Sequence, residues 1–362
     1  MVKHAYIHIP FCKKKCHYCS FVSGVDLSYK DYYIKALLEE ITKKYKNEKL
    51  STLYFGGGTP SLLGENDFEK IISCFNLNLN CEVTIEANPE TVSFLKFKNL
   101  RSLGINRVSL GVQTFDSKIL KIIGRCHKEK EILKSVEIIK NSDFNNISID
   151  LIYGLPMQTM DMLRSDLLKS ISLNIDHIST YGLKIEKNSF FYNYFPSNVP
   201  DNDMQADMYL FLCDFLKQNN FTHYEISNFA KKGKESKHNL AYWTNKNYYG
   251  FGLNASGYEK NIRYKNTSDF SKYIENPHIT EERYELSEKE TLEYEIILAL
   301  RLKKGINICN LNHKYKIDFI KKYEKTVQKY QKLKLIKITQ NHFGLTEQGM
   351  LLSNEIMEEF ID

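Results

Sequence analysis

Three cysteines, Cys12, Cys16 and Cys19, stand in the stretch CKKKCHYC with the spacing C-x3-C-x2-C. Thiols this close together form a metal-site pattern, because the thiolate is a strong, soft ligand. A zinc ion would need a fourth ligand, for which His8 or His17 is at hand. Structural zinc ribbons, however, bring their cysteines as two separated pairs, and no second pair follows. A redox dithiol would need C-x-x-C beside a thioredoxin-like βαβ unit, which does not surround Cys16 and Cys19. An iron–sulfur cluster on three thiolates leaves one iron free for a small molecule, and three cysteines are then a complete set. The cysteines alone leave zinc and iron–sulfur both open.

Other residues could line the same site. FGGGTPS (55–61) ends an expected strand, and its glycines would let backbone approach a ligand closely. Taken alone it also reads as a tight strand-to-helix turn, and it lacks dinucleotide-fingerprint spacing. Glu86, Gln113 and Asp150 lie near the C-terminal ends of expected strands, where parallel α/β folds bind ligands. Any one of them could be a strand cap; several at one edge point to a site.

The elements that must position these residues alternate. Strand-like runs cover 5–9, 51–55, 82–87, 107–112, 147–153 and 177–185. Helical periodicity covers 29–45, 66–75, 91–104, 128–142 and 160–173. The pattern predicts a parallel sheet with helices outside. Six units fall short of a closed eight-unit barrel, so an open partial barrel and an open doubly wound sheet fit equally. Residues 186–285 are aromatic and Asn-rich, with a helix near 203–218. Helices over 287–306 and about 316–332, then a hairpin over 335–349, read as a winged-helix-like module.

The 362 residues are 42% hydrophobic and 26% charged, with a net charge of +6, as in an ordinary globular protein. Lysines are scattered rather than gathered in a basic arm, which argues against a nucleic-acid partner. No apolar run is long enough for a transmembrane helix, and the N-terminus lacks a signal-peptide pattern, so a cytoplasmic location is expected. There, the eight cysteines argue against disulfides, and the five outside the cluster read as buried small apolar residues.

C-x3-C-x2-C after the first strand resembles the radical SAM superfamily, in which a [4Fe–4S] cluster binds S-adenosylmethionine through its open iron. LYFGGGTPS, IEANPE, SLGVQTFD, GRCHKEKE, IDLIYGLPMQT and HISTYGLKIE are similar to oxygen-independent coproporphyrinogen III oxidases and their relatives. YEISNFAKKGKESKHNLAYW resembles the heme-chaperone branch, HemW. The likeness spans nearly the whole chain. It implies a partial (β/α)6 TIM-like barrel over 1–190, an extension with the heme motif over 191–285, and the C-terminal module over 286–362. It also implies that Tyr6, Tyr18, Gly57, Gly58, Thr59, Glu86, Gln113, Arg125 and Asp150 contact S-adenosylmethionine. In HNLAYW, His238 would ligate heme, Tyr242 and Trp243 would pack on the macrocycle, and Lys231, Lys232, Lys234 and Lys237 would meet its propionates.

Two departures point away from the oxidases, which decarboxylate a porphyrinogen. Phe21 stands where they have an additional cysteine, and the chain starts a few residues before its first strand, where they carry a substrate-binding extension. In GFGLNASGY, Leu253, Asn254 and Ser256 depart from the expected pattern, so no auxiliary ligand is expected there. The chaperone branch implies a heme-accepting partner such as a respiratory membrane enzyme. It further implies a flavodoxin- or ferredoxin-type donor if the cluster is reduced, and a homodimer as one candidate assembly. The oxidase activity is the competing expectation.

Overall fold

The computed structural model describes residues 1–361. Six parallel strands form its centre: β1 (His4–Ile9), β2 (Leu50–Gly57), β3 (Leu77–Ala87), β4 (Arg107–Gln113), β5 (Ile147–Tyr153) and β6 (His177–Gly182). They lie side by side in sequence order. That order has no reversal point, so the sheet is a partial barrel and not doubly wound. Right-handed crossovers in unbroken order carry the intervening helices onto one face.

Three short strands extend the sheet: β7 (Thr222–Glu225) and β8 (Asn228–Ala230) beyond β6, and β9 (Tyr249–Phe251) beyond β1. β8 runs antiparallel to β6, and β9 parallel to β1. Runs of three or four residues are too short for periodicity to reveal.

The strands alternate in a way that defines the barrel. Ile7, Phe55, Ile85, Val108, Leu110 and Ile149 are fully buried on one face, against the helices. The opposite phase carries Thr52, Glu82, Thr84, Arg107, Ser109 and Ser148, also buried. Parallel strands covered on both faces are usually apolar throughout. Polar side chains at every second position instead mark an interior built around polar contacts.

Helix Lys30–Lys44 is tied by a buried carboxylate to the segments that follow β9. Glu40, with no exposed surface, accepts from Gly252 N (2.8 Å), Asn266 Nδ2 (2.7 Å), Tyr273 Oη (2.7 Å) and Lys44 Nζ (2.7 Å). This network holds the turn after β9 through the backbone N–H of Gly252.

The C-terminal module departs from the sequence reading in detail. The helix expected over 287–306 is Glu288–Leu300, and the one expected over 316–332 is split into Phe319–Lys322 and Glu324–Lys332. The hairpin strands are Ile336–Ile338 and His342–Leu345, with Ile306–Asn307 as a third strand. Thr346 caps a helix through Gly349 N, so LTEQG leaves the hairpin as a helix. Among the described residues no helix is long and apolar enough to cross a membrane.

Glu40→Ala strands four donors in the core, so the urea-unfolding free energy is expected to fall by about 3–5 kcal/mol. Lys44→Met leaves the other three donors on Glu40 and is expected to cost less.

Candidate functional site

The cysteine loop leaves β1 at its C-terminal end and folds back on itself. Gly24 N donates to Pro10 O and Cys12 N to Gly24 O, both at 2.8 Å. The glycine turn after β2 is bonded to the loop's stem: Gly58 N to Ile9 O at 2.9 Å and Thr59 N to Phe11 O at 2.7 Å. A Cβ on Gly58 would lie 2.5 Å from Phe11 O and 2.9 Å from Cys12 Sγ, so only glycine allows this approach. FGGGTPS is thus a tight turn and also the wall behind Cys12.

Of the two histidines that could complete a zinc site, His8 has both ring nitrogens engaged and His17 has one. His8 Nδ1 pairs with Tyr6 Oη (3.1 Å) and its Nε2 with Val22 O (3.0 Å). His17 Nδ1 pairs with Ile122 O (2.7 Å), and its ring packs on Phe190 at 4.5 Å. Among the described residues no three His, Cys, Asp or Glu side chains converge to hold one ion. A cubane cluster does not need that convergence, because each thiolate binds a different iron.

A chain of hydrogen bonds joins two of the thiols through the sheet. Thr59 Oγ1 donates to Cys12 Sγ at 3.7 Å and accepts from Asn88 Nδ2 at 2.9 Å. Asn88 Oδ1 accepts from Arg125 Nη2 at 2.6 Å, and Arg125 Nη1 donates to Cys16 Sγ at 3.5 Å. Arg125 Nη2 also donates to Gly111 O. A Cβ on Gly111 would fall 2.8 Å from Asn88 Oδ1 and 3.0 Å from both Arg125 Nη2 and Gln113 Nε2. Three polar groups therefore surround one glycine at the strand ends. Gln113 reaches it from a β-bulge, with φ at 69°.

Glu86 and Asp150 lie on the inner face. Glu86 accepts from Tyr54 Oη (2.8 Å) and Gly57 N (3.2 Å), and burial pushes its carboxyl up to about 7. Asp150 sits mid-strand rather than at the strand end, bonded to Ser109 Oγ at 3.1 Å, and is also raised by burial. Tyr6 stacks on Tyr54 at 6.0 Å. Burial and the nearby cysteines raise Tyr18, while Arg125 opposes the rise. Burial likewise raises the Cys12 and Cys19 thiols. Asn88, Gly111 and Tyr54 were not singled out from the sequence. Asn88 carried a signal: a polar residue before proline at a strand end, one position from a buried apolar residue.

These features fit a cluster with a polar ligand beside it. The donors are sulfur alone, a guanidinium faces one of them, and glycines leave room at the wall.

Residues 6–168 match the model of the radical SAM superfamily, and residues 286–352 that of the HemN C-terminal domain. The heme chaperone HemW of Lactococcus lactis is 40% identical over 99% of this chain and 97% of its own. This chain belongs to the HemW family. HemW of Bacillus subtilis is 36% identical, over 99% of both chains. The solved structure of coproporphyrinogen III oxidase (HemN) from Escherichia coli, a radical SAM enzyme, aligns with a TM-score of 0.88. It covers 99% of this chain and 90% of its own at 22% identity, which shows the shared fold.

The HemW motif HNLAYW forms a short helix, Lys237–Trp243, that the sequence reading did not resolve. Its first turn rests on the inner face of β3, where Glu82 accepts from Lys237 N and His238 N, both at 3.1 Å. His238 is 1% exposed, and both ring nitrogens are partnered: Nδ1 by Thr52 Oγ1 and Nε2 by Tyr242 Oη, each at 2.7 Å. Burial, then His4 and Arg107, hold it neutral. Trp243 lines a cavity of about 210 Å³ with Tyr242.

Two of the four neighbouring lysines are engaged elsewhere. Lys231 Nζ donates to Asn174 Oδ1 at 2.8 Å, and Lys234 Nζ to Asn145 O. Asn254, at φ 58°, turns the loop, and Gly252 N and Leu253 N bond Glu40 and Tyr33.

Asn88→Ala opens the bond chain between Cys12 and Cys16. Iron and sulfide per chain after anaerobic reconstitution are expected to fall well below wild type, with the fold retained by circular dichroism. A carboxyl raised in the folded state binds its proton more tightly there. Glu86 therefore stabilises the ligand-free protein below the ordinary carboxylate range and loses that contribution as pH rises to about 7. Glu86→Gln is expected to flatten the fall in stability between about pH 5 and 7. A residual slope is expected from Asp166, which burial raises to about 6.

Proposed function

We propose that this protein is a cytoplasmic heme chaperone. It binds a [4Fe–4S] cluster through Cys12, Cys16 and Cys19, with S-adenosylmethionine beside it, and holds heme near His238 for delivery to an acceptor protein. The observation that carries this reading is the end-to-end identity with proteins named heme chaperones. When bound, the cluster supplies an iron open to a small ligand and a one-electron couple. Arg125 is suited to a carboxylate, because a guanidinium offers paired donors. Glu86 and Asp150 are suited to hydroxyl or amine groups, and Gln113 and Thr59 add polar contacts. Tyr6, Tyr18, Gly57 and Gly58 form the wall. A flavodoxin- or ferredoxin-type donor would reduce the cluster where reduction is required. The acceptor is a heme-requiring protein, such as a respiratory membrane enzyme, and a homodimer is the assembly we propose for transfer.

His238 is neutral, the protonation state in which imidazole ligates iron. Its Nε2 is held by the Tyr242 hydroxyl, so ligation requires that bond to open. A neutral hydrogen bond contributes about 1 kcal/mol net. Tyr242→Phe is therefore expected to strengthen heme binding by about five-fold.

Anaerobically reconstituted protein is expected to show a thiolate–iron band and, with one equivalent of heme, a Soret band. His238→Ala is expected to remove the ligated Soret form and leave iron and sulfide unchanged. The triple Cys12→Ala, Cys16→Ala, Cys19→Ala variant is expected to lose the cluster and deliver no heme to an acceptor. Undiminished transfer by that variant sinks the cluster's part in the reading. A vinyl product from coproporphyrinogen III with reductant and S-adenosylmethionine would instead establish the oxidase activity.

A further inference from the structure

The cavity beside the HNLAYW helix is lined by Tyr242, Trp243, Asn245, Tyr248, Arg263 and Leu298. No carboxylate is among these residues. Arg263 lies 3.9 Å over the Tyr294 ring and 4.5 Å over that of Tyr258, and its Nη2 donates to Asn245 Oδ1 at 3.2 Å. Its Nε is buried without a hydrogen-bond partner, and so is Nε1 of Trp243. A second guanidinium, that of Arg301, lies 4.3 Å over the Trp243 ring and faces the buried Glu225. Among the described residues Arg263 forms no ion pair.

A buried donor without an acceptor is costly, and native structures keep few of them. Both residues line one small aromatic cavity, where an anionic oxygen would satisfy such donors. Arg263 is the stronger of the two, because its planar fork can take a carboxylate through paired bonds. The cavity's 210 Å³ is small for a whole cofactor, since pockets for ligands of that size begin at about 300 Å³. It suits a carboxylate arm and the ring edge that bears it. Tyr242, which forms one wall, is also the residue bonded to His238 Nε2.

We propose that Arg263, assisted by Trp243 Nε1–H, anchors a propionate of heme. This rests on the heme reading above and replaces the lysines of 231–237 as the anchor.

The test is titration of heme and of heme dimethyl ester into the full-length protein, followed by Soret absorbance. Wild type is expected to bind heme about ten-fold or more tightly than the ester. Arg263→Gln is expected to lose that preference by losing affinity for heme and not for the ester, and Arg263→Lys to regain part of it. His238→Ala is expected to change the Soret position and keep the preference. Thermal melts of both Arg263 variants report folding; where Arg263→Gln is unfolded, Arg263→Lys decides. A folded Arg263 variant set with wild-type affinities for both ligands overturns the anchor while the heme reading stands. Wild type that binds no heme overturns both.

Discussion

A buried guanidinium ties the cysteine loop to the sheet. Arg125 lies between Cys16 Sγ, Asn88 Oδ1 and Gly111 O, and so touches the loop and the ends of β3 and β4 together. Burying a cation is tolerable only where acceptors surround it. Asn88, held in turn by Thr59, supplies one of them and carries the connection back to Cys12. The charge therefore sets the geometry. Gly111 must be glycine because three polar groups meet at its Cα, and Gly58 because the β2 turn closes on Cys12.

Below this rim the barrel interior joins the two candidate sites by direct contact. Glu86 accepts from Gly57 N at the cysteine end and from Tyr54 Oη farther in. The Tyr54 ring stacks at 5.0 Å on His238, which is bonded to Tyr242. Tyr54 therefore has a polar end in one site and an aromatic face in the other. Its position opposite Tyr6 in the β1–β2 register fixes both. Rearrangement at either end must be accommodated by the same side chain, which gives the sites a physical route for coupling.

The sheet was legible because six apolar runs recur between amphipathic helices, and their edges fall within a few residues of those observed. The cysteine loop was legible because its three thiols are adjacent in sequence. Asn88 and Gly111 were not, because their roles arise from neighbours on other strands. Asp150 was expected at a strand end but lies mid-strand, since β5 continues to Tyr153. Two of the lysines near His238 are turned away from it for a related reason. Proximity in sequence put Lys231 and Lys234 beside the motif, while the fold turns them toward Asn174 and Asn145. Arg263, distant in sequence, is brought to Trp243 by an antiparallel hairpin that periodicity does not reveal.

The alternation within the strands carries one more consequence. Thr84 Oγ1 and Arg107 Nε, both on that inner phase, are buried without hydrogen-bond partners. Each such group costs about 1–3 kcal/mol relative to a satisfied one. A core built only for stability would fill these positions with apolar side chains, which often stabilise as well or better. Their retention on the concave face, with the apolar phase confined to the helix side, sets the interior apart from a structural core. Ligand groups that meet these donors would stabilise the folded state in proportion to their binding.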